Sequence, residues 1–294
     1  MKISEMNLHN KDKVKLHYDI TLSCNNRCEY CYALEELDNS KLFNSEVFYK
    51  FIEQSNKLSN VQIDILGGEP LLVLDRVFEL INKSVHSDFR IFTNLNFKNE
   101  EKIEKLKNFV LHSNKNIKIF VSVHESSNQE ILKRNILYIK DLVEITLLLN
   151  DNNIDYNFEF YTFLKENKIK YGVEELINSD GSSSFSKIQN EKFKEMIQNS
   201  NMFVDKVTID DDVFSHLEVL ENDLLNISSK CRTICELSEL RIKYNGDIEP
   251  ICNNPIKLGN ISESLIIKNI YCNSFNCRCS ANSYKKLFNY KGNK

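Results

Sequence analysis

The sequence predicts an α/β fold, in which a partial (β/α)6 TIM-like barrel over residues 1–215 precedes a small C-terminal cysteine-rich domain over residues 216–294. Two observations carry this prediction. Short β-branched runs alternate with stretches of helical apolar spacing, which is typical of parallel strands joined by crossover helices. The nine cysteines are also segregated, with three at positions 24–31 and six at positions 231–279. Scattered core cysteines would not divide in this way, so we expect two cysteine sites.

The predicted elements of the barrel alternate along the chain. The run at 156–163 is rich in aromatic residues and looks like a strand. It follows the fifth strand too closely for an ordinary crossover helix, so we expect a reduced fifth helical unit and a polar loop over 165–190. The expected strands are 14–22, 61–66, 89–94, 117–123 and 143–149, and the expected helices are 43–58, one that starts at Pro70, 98–111, 128–140 and 189–199.

Length and charge narrow the class of protein. The 294 residues can bury a full core, and the net charge of −4 argues against general nucleic-acid binding, which needs a basic face. The chain has no apolar run long enough to span a membrane and no secretory signal at its start. We therefore expect a cytoplasmic protein that binds neither nucleic acid nor membrane. In that compartment clustered cysteines are more often metal ligands than disulfides.

The first cysteine group is Cys24, Cys28 and Cys31, with the spacing C-x3-C-x2-C at the end of the first predicted strand. A loop this tight can point three thiolates at one small object, and soft sulfur ligands suit an iron–sulfur cluster. Three ligands leave one iron of a cubane open to a group that is not protein. A zinc site is the alternative, although zinc sites usually show paired C-x2-C units and four closed ligands.

A second motif, formed by Gly67, Gly68, Glu69 and Pro70, follows the second predicted strand. Paired glycines let a backbone come close to a ligand, and Glu69 would place a carboxylate near an ammonium group. Pro70 fixes the turn into the next helix. Taken alone, the tetrapeptide is equally typical of an ordinary strand-to-helix turn.

The two motifs together resemble the signature of the radical S-adenosylmethionine (radical SAM) enzymes, in which an aromatic residue, here Tyr30, precedes the third cysteine. The resemblance implies a 4Fe–4S cluster whose open iron binds SAM. It also implies reductive cleavage of SAM to a 5′-deoxyadenosyl radical, which abstracts hydrogen from a substrate. A flavodoxin- or ferredoxin-type protein would supply the electron, and residues 67–70 would hold the methionyl amine.

Further site residues follow from the same resemblance. Thr93 and Asn94 are similar to a third-strand pair that lies near the SAM carboxylate or ribose; a simple Asx turn is the alternative for Asn94. Ser122 and His124 share one face of the fourth strand under strand alternation. In the family this face lines the SAM and substrate pocket, which makes His124 a candidate catalytic residue against the alternative of a structural histidine. No stretch matches the family's adenine-binding pattern, G-x-I-x-G-x-x-E.

The second cysteine group surrounds a predicted hairpin at Asn245-Gly246. Cysteines before and after a hairpin, followed by Leu-Gly-Asn-Ile, resemble the auxiliary-cluster modules of radical SAM enzymes known as twitch and SPASM domains. Six cysteines rather than seven fit one auxiliary 4Fe–4S cluster better than two, and a zinc knuckle is the alternative. The expected ligands are Cys235, for which Cys231 is a rival, then Cys252, and two of Cys272, Cys277 and Cys279.

The sequence is compatible with two classes of substrate. The first is a peptide or protein, as in the maturases among auxiliary-cluster enzymes. The chain ahead of Cys24 is too short for the leader-recognition domain that some of them carry there. The second is a small molecule such as a sugar or an aminocyclitol, and in either class we favour an oxidative reaction. A different hypothesis is a non-catalytic iron–sulfur or zinc protein that carries electrons or serves as a partner subunit.

Overall fold

A computed structural model describes residues 13–31, 33–150, 152–176, 190–200, 207–209, 212–214, 239–250 and 257–262. Its residues form two compact units. One comprises the described residues up to 144 together with 239–250 and 257–262, and the other comprises those from 145 to 214.

Strands and helices alternate through the first two thirds of the chain, as expected. Among the described residues, no helix is both long and apolar enough to cross a membrane. The strands are β1 (Val14–Asp19), β2 (Val61–Leu66), β3 (Asp88–Thr93), β4 (Asn116–Val123), β5 (Val143–Leu149), β6 (Tyr171–Glu175), β7 (Val207–Ile209), β8 (Asp212–Phe214), β9 (Glu239–Ile242), β10 (Asp247–Pro250) and β11 (Gly259–Asn260). The α-helices are α1 (Ser45–Ser55), α2 (Leu74–Lys83), α3 (Glu100–His112), α4 (Gln129–Tyr138), α5 (Ile154–Glu166) and α6 (Glu191–Gln198), and 3-10 turns span Pro70–Val73 and Lys140–Leu142.

In the first unit the strands are hydrogen-bonded in the order β11-β10-β9-β1-β2-β3-β4. Strands β9, β1, β2, β3 and β4 run parallel, whereas β10 is antiparallel to β9 and to β11. Parallel strands joined by helices bring their carboxyl ends to one edge of the sheet, where ligand sites of such folds lie. The predicted α/β fold with a mostly parallel sheet is therefore confirmed.

The two faces of β1 differ in chemistry. On one face Tyr18 stacks on Phe51 of α1, with ring centroids 4.3 Å apart. On the other face His17 Nδ1 lies 3.3 Å from Oδ2 of the buried Asp64. Arg90 of β3 donates to both oxygens of Asp64, at 2.7 Å through Nε and at shorter range through Nη2. The face of the sheet opposite the helices is therefore charged, and the charges are paired across neighbouring strands.

The prediction of a strand at 156–163 and a loop over 165–190 is wrong. The aromatic run is helical, because α5 covers it, and β6 follows within the stretch that we expected to be a loop. Buried Ile154, Asn157, Phe160 and Leu164 recur at helical spacing, so packing of one face decides the structure over the β-propensity of the aromatic residues. A short turn suffices before α5, where Asn153 Nδ2 donates to a carbonyl at the end of β5 at 2.9 Å.

The predicted hairpin around Asn245-Gly246 is confirmed, since β9 and β10 pair antiparallel. The hairpin adjoins β1, and Arg241 donates to Oδ2 of the buried Asp19 from Nε at 2.9 Å and from Nη2 at 2.5 Å. Its strands therefore extend the sheet of the first unit, although the sequence placed them in the C-terminal domain. The domain boundary at residue 215 stays a prediction.

Candidate active site

The cysteine loop, residues 24–31, leaves the end of β1. Cys24 is buried, while Cys28 and Cys31 are half-buried, and Cys31 N donates to Cys28 O at 3.0 Å in a tight turn. Burial raises the pKa of Cys24 to about 11 and also raises the pKa of Cys28. These two thiols are therefore protonated at neutral pH, and a metal must displace their protons in order to bind.

Backbone contacts hold the first half of the loop. Arg27 Nη1 donates to Cys24 O and to Asn26 O, both at 2.8 Å. Asn39 Oδ1 accepts from Ser23 Oγ and from Cys24 N, each at 3.2 Å. Arg27 and Asn39 could not be predicted from the sequence, because neither belongs to a ligand motif. Both restrain the backbone that carries the first thiol.

The turn after β4, residues 124–127 and called the β4 turn below, contacts the cysteine loop along its length. It closes with a hydrogen bond from Ser127 N to His124 O at 2.9 Å. Three residues of the loop, alternating in sequence, meet three residues of the turn. The contacts are Asn26 Nδ2 to Ser127 Oγ at 3.0 Å, Cys28 Sγ to Ser126 Oγ at 3.2 Å, and Tyr30 Oη to His124 Nδ1 at 3.0 Å.

The candidate catalytic His124 is thus beside the loop aromatic. The rings of His124 and Tyr30 stack with centroids 5.9 Å apart. Desolvation lowers the pKa of His124 to about 4, so the imidazole is neutral near pH 7 and one ring nitrogen can accept a hydrogen bond. A neutral imidazole keeps one N–H donor and one nitrogen acceptor, so it can orient the Tyr30 hydroxyl. Ser122, half-buried, precedes it on β4. Catalysis by His124 stays a prediction.

The two glycines after β2 lie against the backbone that leads into the cysteine loop. Gly68 N donates to Thr21 O at 2.7 Å, and Glu69 N donates to Ser23 O at 2.8 Å. A Cβ added at Gly67, where φ is +139°, would lie 2.4 Å from Thr21 O, and one at Gly68 would lie 2.2 Å from Ser23 O. The close approach that requires these glycines is therefore to the protein's own backbone.

The Glu69 carboxylate is buried and joins its own turn to the end of β3. Its Oε1 accepts from Leu71 N at 2.9 Å, which caps the 3-10 turn at Pro70, and from Thr93 Oγ1 at 2.7 Å. Its Oε2 accepts from Asn94 N at 2.8 Å. Burial outweighs these three donors and raises the pKa of Glu69 to about 7. A carboxylate can accept about four hydrogen bonds, and these contacts use three of them.

Asn94 at the end of β3 makes the Asx turn that was the alternative for it, because its Oδ1 accepts from Asn96 N at 2.9 Å. Its Nδ2 also donates to Asn25 Oδ1 in the cysteine loop at 2.8 Å. Asn25 Nδ2 donates in turn to Asn96 O at 2.8 Å, and Asn96 Nδ2 donates to Asn26 Oδ1 at 3.1 Å. Strand β3 is therefore linked to the cysteine loop by a belt of asparagines that no motif revealed.

The raised pKa of Glu69 predicts a pH dependence of stability. Between pH 4.5 and about 7 the folded chain binds more protons than the unfolded chain, so the free energy of unfolding falls as pH rises through this window. We expect metal-free wild type to lose about 2 kcal/mol between pH 5 and 7 relative to Glu69→Gln, by urea unfolding. The control is Glu101→Gln, which removes an exposed carboxylate paired with Lys105. Parallel curves for wild type and Glu69→Gln would contradict the shift.

The predicted ligands of the second cysteine group are not described by the structure. Cys231, Cys235, Cys252, Cys272, Cys277 and Cys279 lie outside the described residues. Within the described ranges, no three His, Cys, Asp or Glu side chains converge as a single metal ion requires. The thiolates that hold a cubane bind different iron atoms, so a cluster loop does not need that convergence.

A family model described as Radical SAM superfamily matches residues 18–171, just over half of the chain. The chain belongs to the radical SAM superfamily. The match contains the cysteine loop, residues 67–70 and the ends of β3 and β4. Every segment that forms the candidate site therefore lies in the part of the chain that defines the superfamily.

Individual relatives are distant. A Methanococcus aeolicus protein named "Probable GTP 3′,8-cyclase" is 38% identical over 66 residues, which is 22% of each chain. Streptococcus suis SuiB bound to precursor peptide SuiA has a similar structure, with a TM-score of 0.57 and 17% identity over 94% of this chain and 66% of that one. A structure of anSMEcpe with bound AdoMet and Cp18Cys peptide gives a TM-score of 0.55 and 16% identity over 86% and 78%. The chain spans less than two thirds of the cyclase and of SuiB, and the structural similarity shows the fold.

Proposed function

We propose that this radical SAM superfamily chain is an enzyme that holds a 4Fe–4S cluster through Cys24, Cys28 and Cys31. When bound, the cluster and SAM supply a 5′-deoxyadenosyl radical for hydrogen abstraction from a substrate. The observation that carries the proposal is the convergence of the cysteine loop, the Gly67-Gly68 backbone and the ends of β3 and β4 at one edge of a parallel sheet. An electron carrier needs no open iron and no such surroundings.

The residues present fit these two groups. The three thiols lie on one restrained loop, and Glu69, which accepts three hydrogen bonds within the protein, would accept a further one from the amine of SAM. Thr93 and Asn94 would contact the carboxylate or ribose of SAM, and Ser122 would line the same pocket. Tyr30 would contribute to cofactor binding, and His124, which contacts Tyr30, would face the substrate. A flavodoxin- or ferredoxin-type protein would supply the electron.

The C-terminal cysteines would bind one auxiliary 4Fe–4S cluster. The described hairpin supports this proposal because Leu240 and Pro250 are paired across it. In sequence, Cys235 lies four residues before the start of β9 and Cys252 lies two residues after the end of β10. The other ligands would be two of Cys272, Cys277 and Cys279, with Cys231 a rival for Cys235. This cluster would accept the electron that the substrate radical loses in an oxidative reaction.

A peptide or protein is the favoured substrate. Both SuiB and anSMEcpe have been solved with peptides bound, and both share the fold of this chain. A small molecule is the second candidate, since a relative in sequence is named as a GTP cyclase.

Formation of 5′-deoxyadenosine tests the proposal. Anaerobically reconstituted, dithionite-reduced protein should convert SAM to 5′-deoxyadenosine and methionine, detected by liquid chromatography and mass spectrometry. Iron-loaded protein that forms none would favour the electron-carrier hypothesis. Short peptides and simple sugars can then be compared in the same assay, because a substrate is expected to increase the rate of SAM cleavage.

A further inference from the structure

The β4 turn brings a hydroxyl to one of the three proposed cluster ligands. Ser126 Oγ lies 3.2 Å from Cys28 Sγ. In the metal-free chain either atom can donate the proton. A cysteine that binds iron has lost its proton, however, so in the loaded protein only the serine hydroxyl can donate. The contact then becomes a charge-assisted O–H···S hydrogen bond.

Ser126 is not needed to hold its own position. On one side Ser127 Oγ accepts from Asn26 Nδ2 at 3.0 Å, and on the other His124 Nδ1 lies 3.0 Å from Tyr30 Oη. The backbone of the turn is closed independently by the hydrogen bond from Ser127 N to His124 O. Removal of the Ser126 hydroxyl should therefore delete one donor and leave the turn against the loop.

A donor to a ligating sulfur changes the energy of the two redox states unequally. The hydrogen bond withdraws electron density from the thiolate and stabilises the more negative, reduced cluster more than the oxidised one. A second donor acts in the same way from the backbone, because Asn26 N lies 3.4 Å from Cys24 Sγ. A side-chain substitution cannot remove this backbone donor, whereas the Ser126 hydroxyl can be removed by a single substitution.

We propose that Ser126 is a positioning residue whose hydroxyl donates to the Cys28 thiolate and raises the reduction potential of the cluster held by residues 24–31. The inference rests on the proposed function. Reduction of this cluster is the step that would precede SAM cleavage. Ser126 would therefore influence how easily an external reductant transfers an electron to the cluster. The residue lies outside the cysteine motif and the other predicted site residues.

The test is a redox titration followed by electron paramagnetic resonance on Ser126→Ala, Ser126→Thr and wild type, each reconstituted and matched for iron content. The signal that changes on addition of SAM identifies the relevant cluster. At the wild-type midpoint, Ser126→Ala should show a reduced-to-oxidised ratio about tenfold lower, which is a shift of about 59 mV for one electron. Ser126→Thr keeps the hydroxyl and should restore the wild-type potential.

A control separates this effect from a general effect of losing a serine. Ser113→Ala removes a hydroxyl just before β4, at the opposite edge of the sheet, and should leave the potential unchanged. An unshifted Ser126→Ala, or an equal shift in Ser126→Ala and Ser126→Thr, would overturn the inference. If wild type forms 5′-deoxyadenosine while Ser126→Ala is unshifted, the inference fails and the proposed function stands. If wild type binds no iron, both are overturned.

Discussion

Replacement of Cys24, Cys28 and Cys31 together by alanine should abolish formation of 5′-deoxyadenosine and remove one of two clusters. We expect about eight iron atoms per reconstituted wild-type chain and about four in the triple variant, with sulfide to match. The reason is that the three thiols occupy one loop, and no other cysteine lies among the residues that the structure describes. Iron and sulfide analysis after anaerobic reconstitution provides the measurement.

The matched control is the alanine variant of the three last cysteines, Cys272, Cys277 and Cys279. This variant should lose the other four or so iron atoms and keep the cluster that cleaves SAM. Wild type with about four iron atoms, all lost in the first variant, would remove the auxiliary cluster from the proposal and favour zinc or a structural role for the C-terminal cysteines. The proposed cleavage of SAM would stand in that case.

Gly68→Ala is expected to displace the backbone that leads into the cysteine loop. The new Cβ would lie 2.2 Å from Ser23 O, 2.7 Å from Ser23 C and 3.1 Å from Cys24 Cβ. These are mostly backbone atoms that cannot move aside, so the segment must separate from the cysteine loop and lose the 2.8 Å hydrogen bond from Glu69 N to Ser23 O. We expect a loss of about 3 kcal/mol in the free energy of unfolding by urea titration, together with poor retention of iron.

Gly246→Ala serves as the comparison for that variant. Gly246 lies in the β9–β10 turn with φ at +86°, so alanine there is strained and should cost about 1 kcal/mol. The site contacts do not involve this turn, and iron content per folded chain should stay at the wild-type value. Equal loss of iron in both variants would show that reduced stability, rather than a displaced cysteine loop, causes the loss in Gly68→Ala.

The parts of the site that sequence predicted are those whose chemistry is local. Three thiols in one loop and a Gly-Gly-Glu-Pro turn show their character over a few residues. The partners of Glu69 and the contact between Cys28 and Ser126 join loops distant in sequence, and they depend on which strands are neighbours. Spacing within one segment holds no information about such pairs.

For the fold, too, the local features were predicted and the long-range pairings were not. Alternation located β1 to β5 because each is a short apolar run between turn residues. The aromatic run of α5 suggests a strand because Phe158, Phe160 and Tyr161 favour strands locally. Burial of one face at a period near 3.6 residues makes it a helix instead. Alternation predicts β2 as one neighbour of β1. It could not predict the other neighbour, β9, because β9 lies more than 200 residues further along the chain.

That neighbour has a consequence for how the protein is made. Strand β1 pairs with β9, and the ion pair between Asp19 and Arg241 joins residues 222 positions apart in the chain. During synthesis β1 therefore has an open edge, and the Asp19 carboxylate lacks its arginine, until the segment that contains β9 has left the ribosome. Contacts of such long range slow folding, and an open strand edge invites aggregation. A fragment cut at residue 215 would lack β9 and would keep that edge of β1 open.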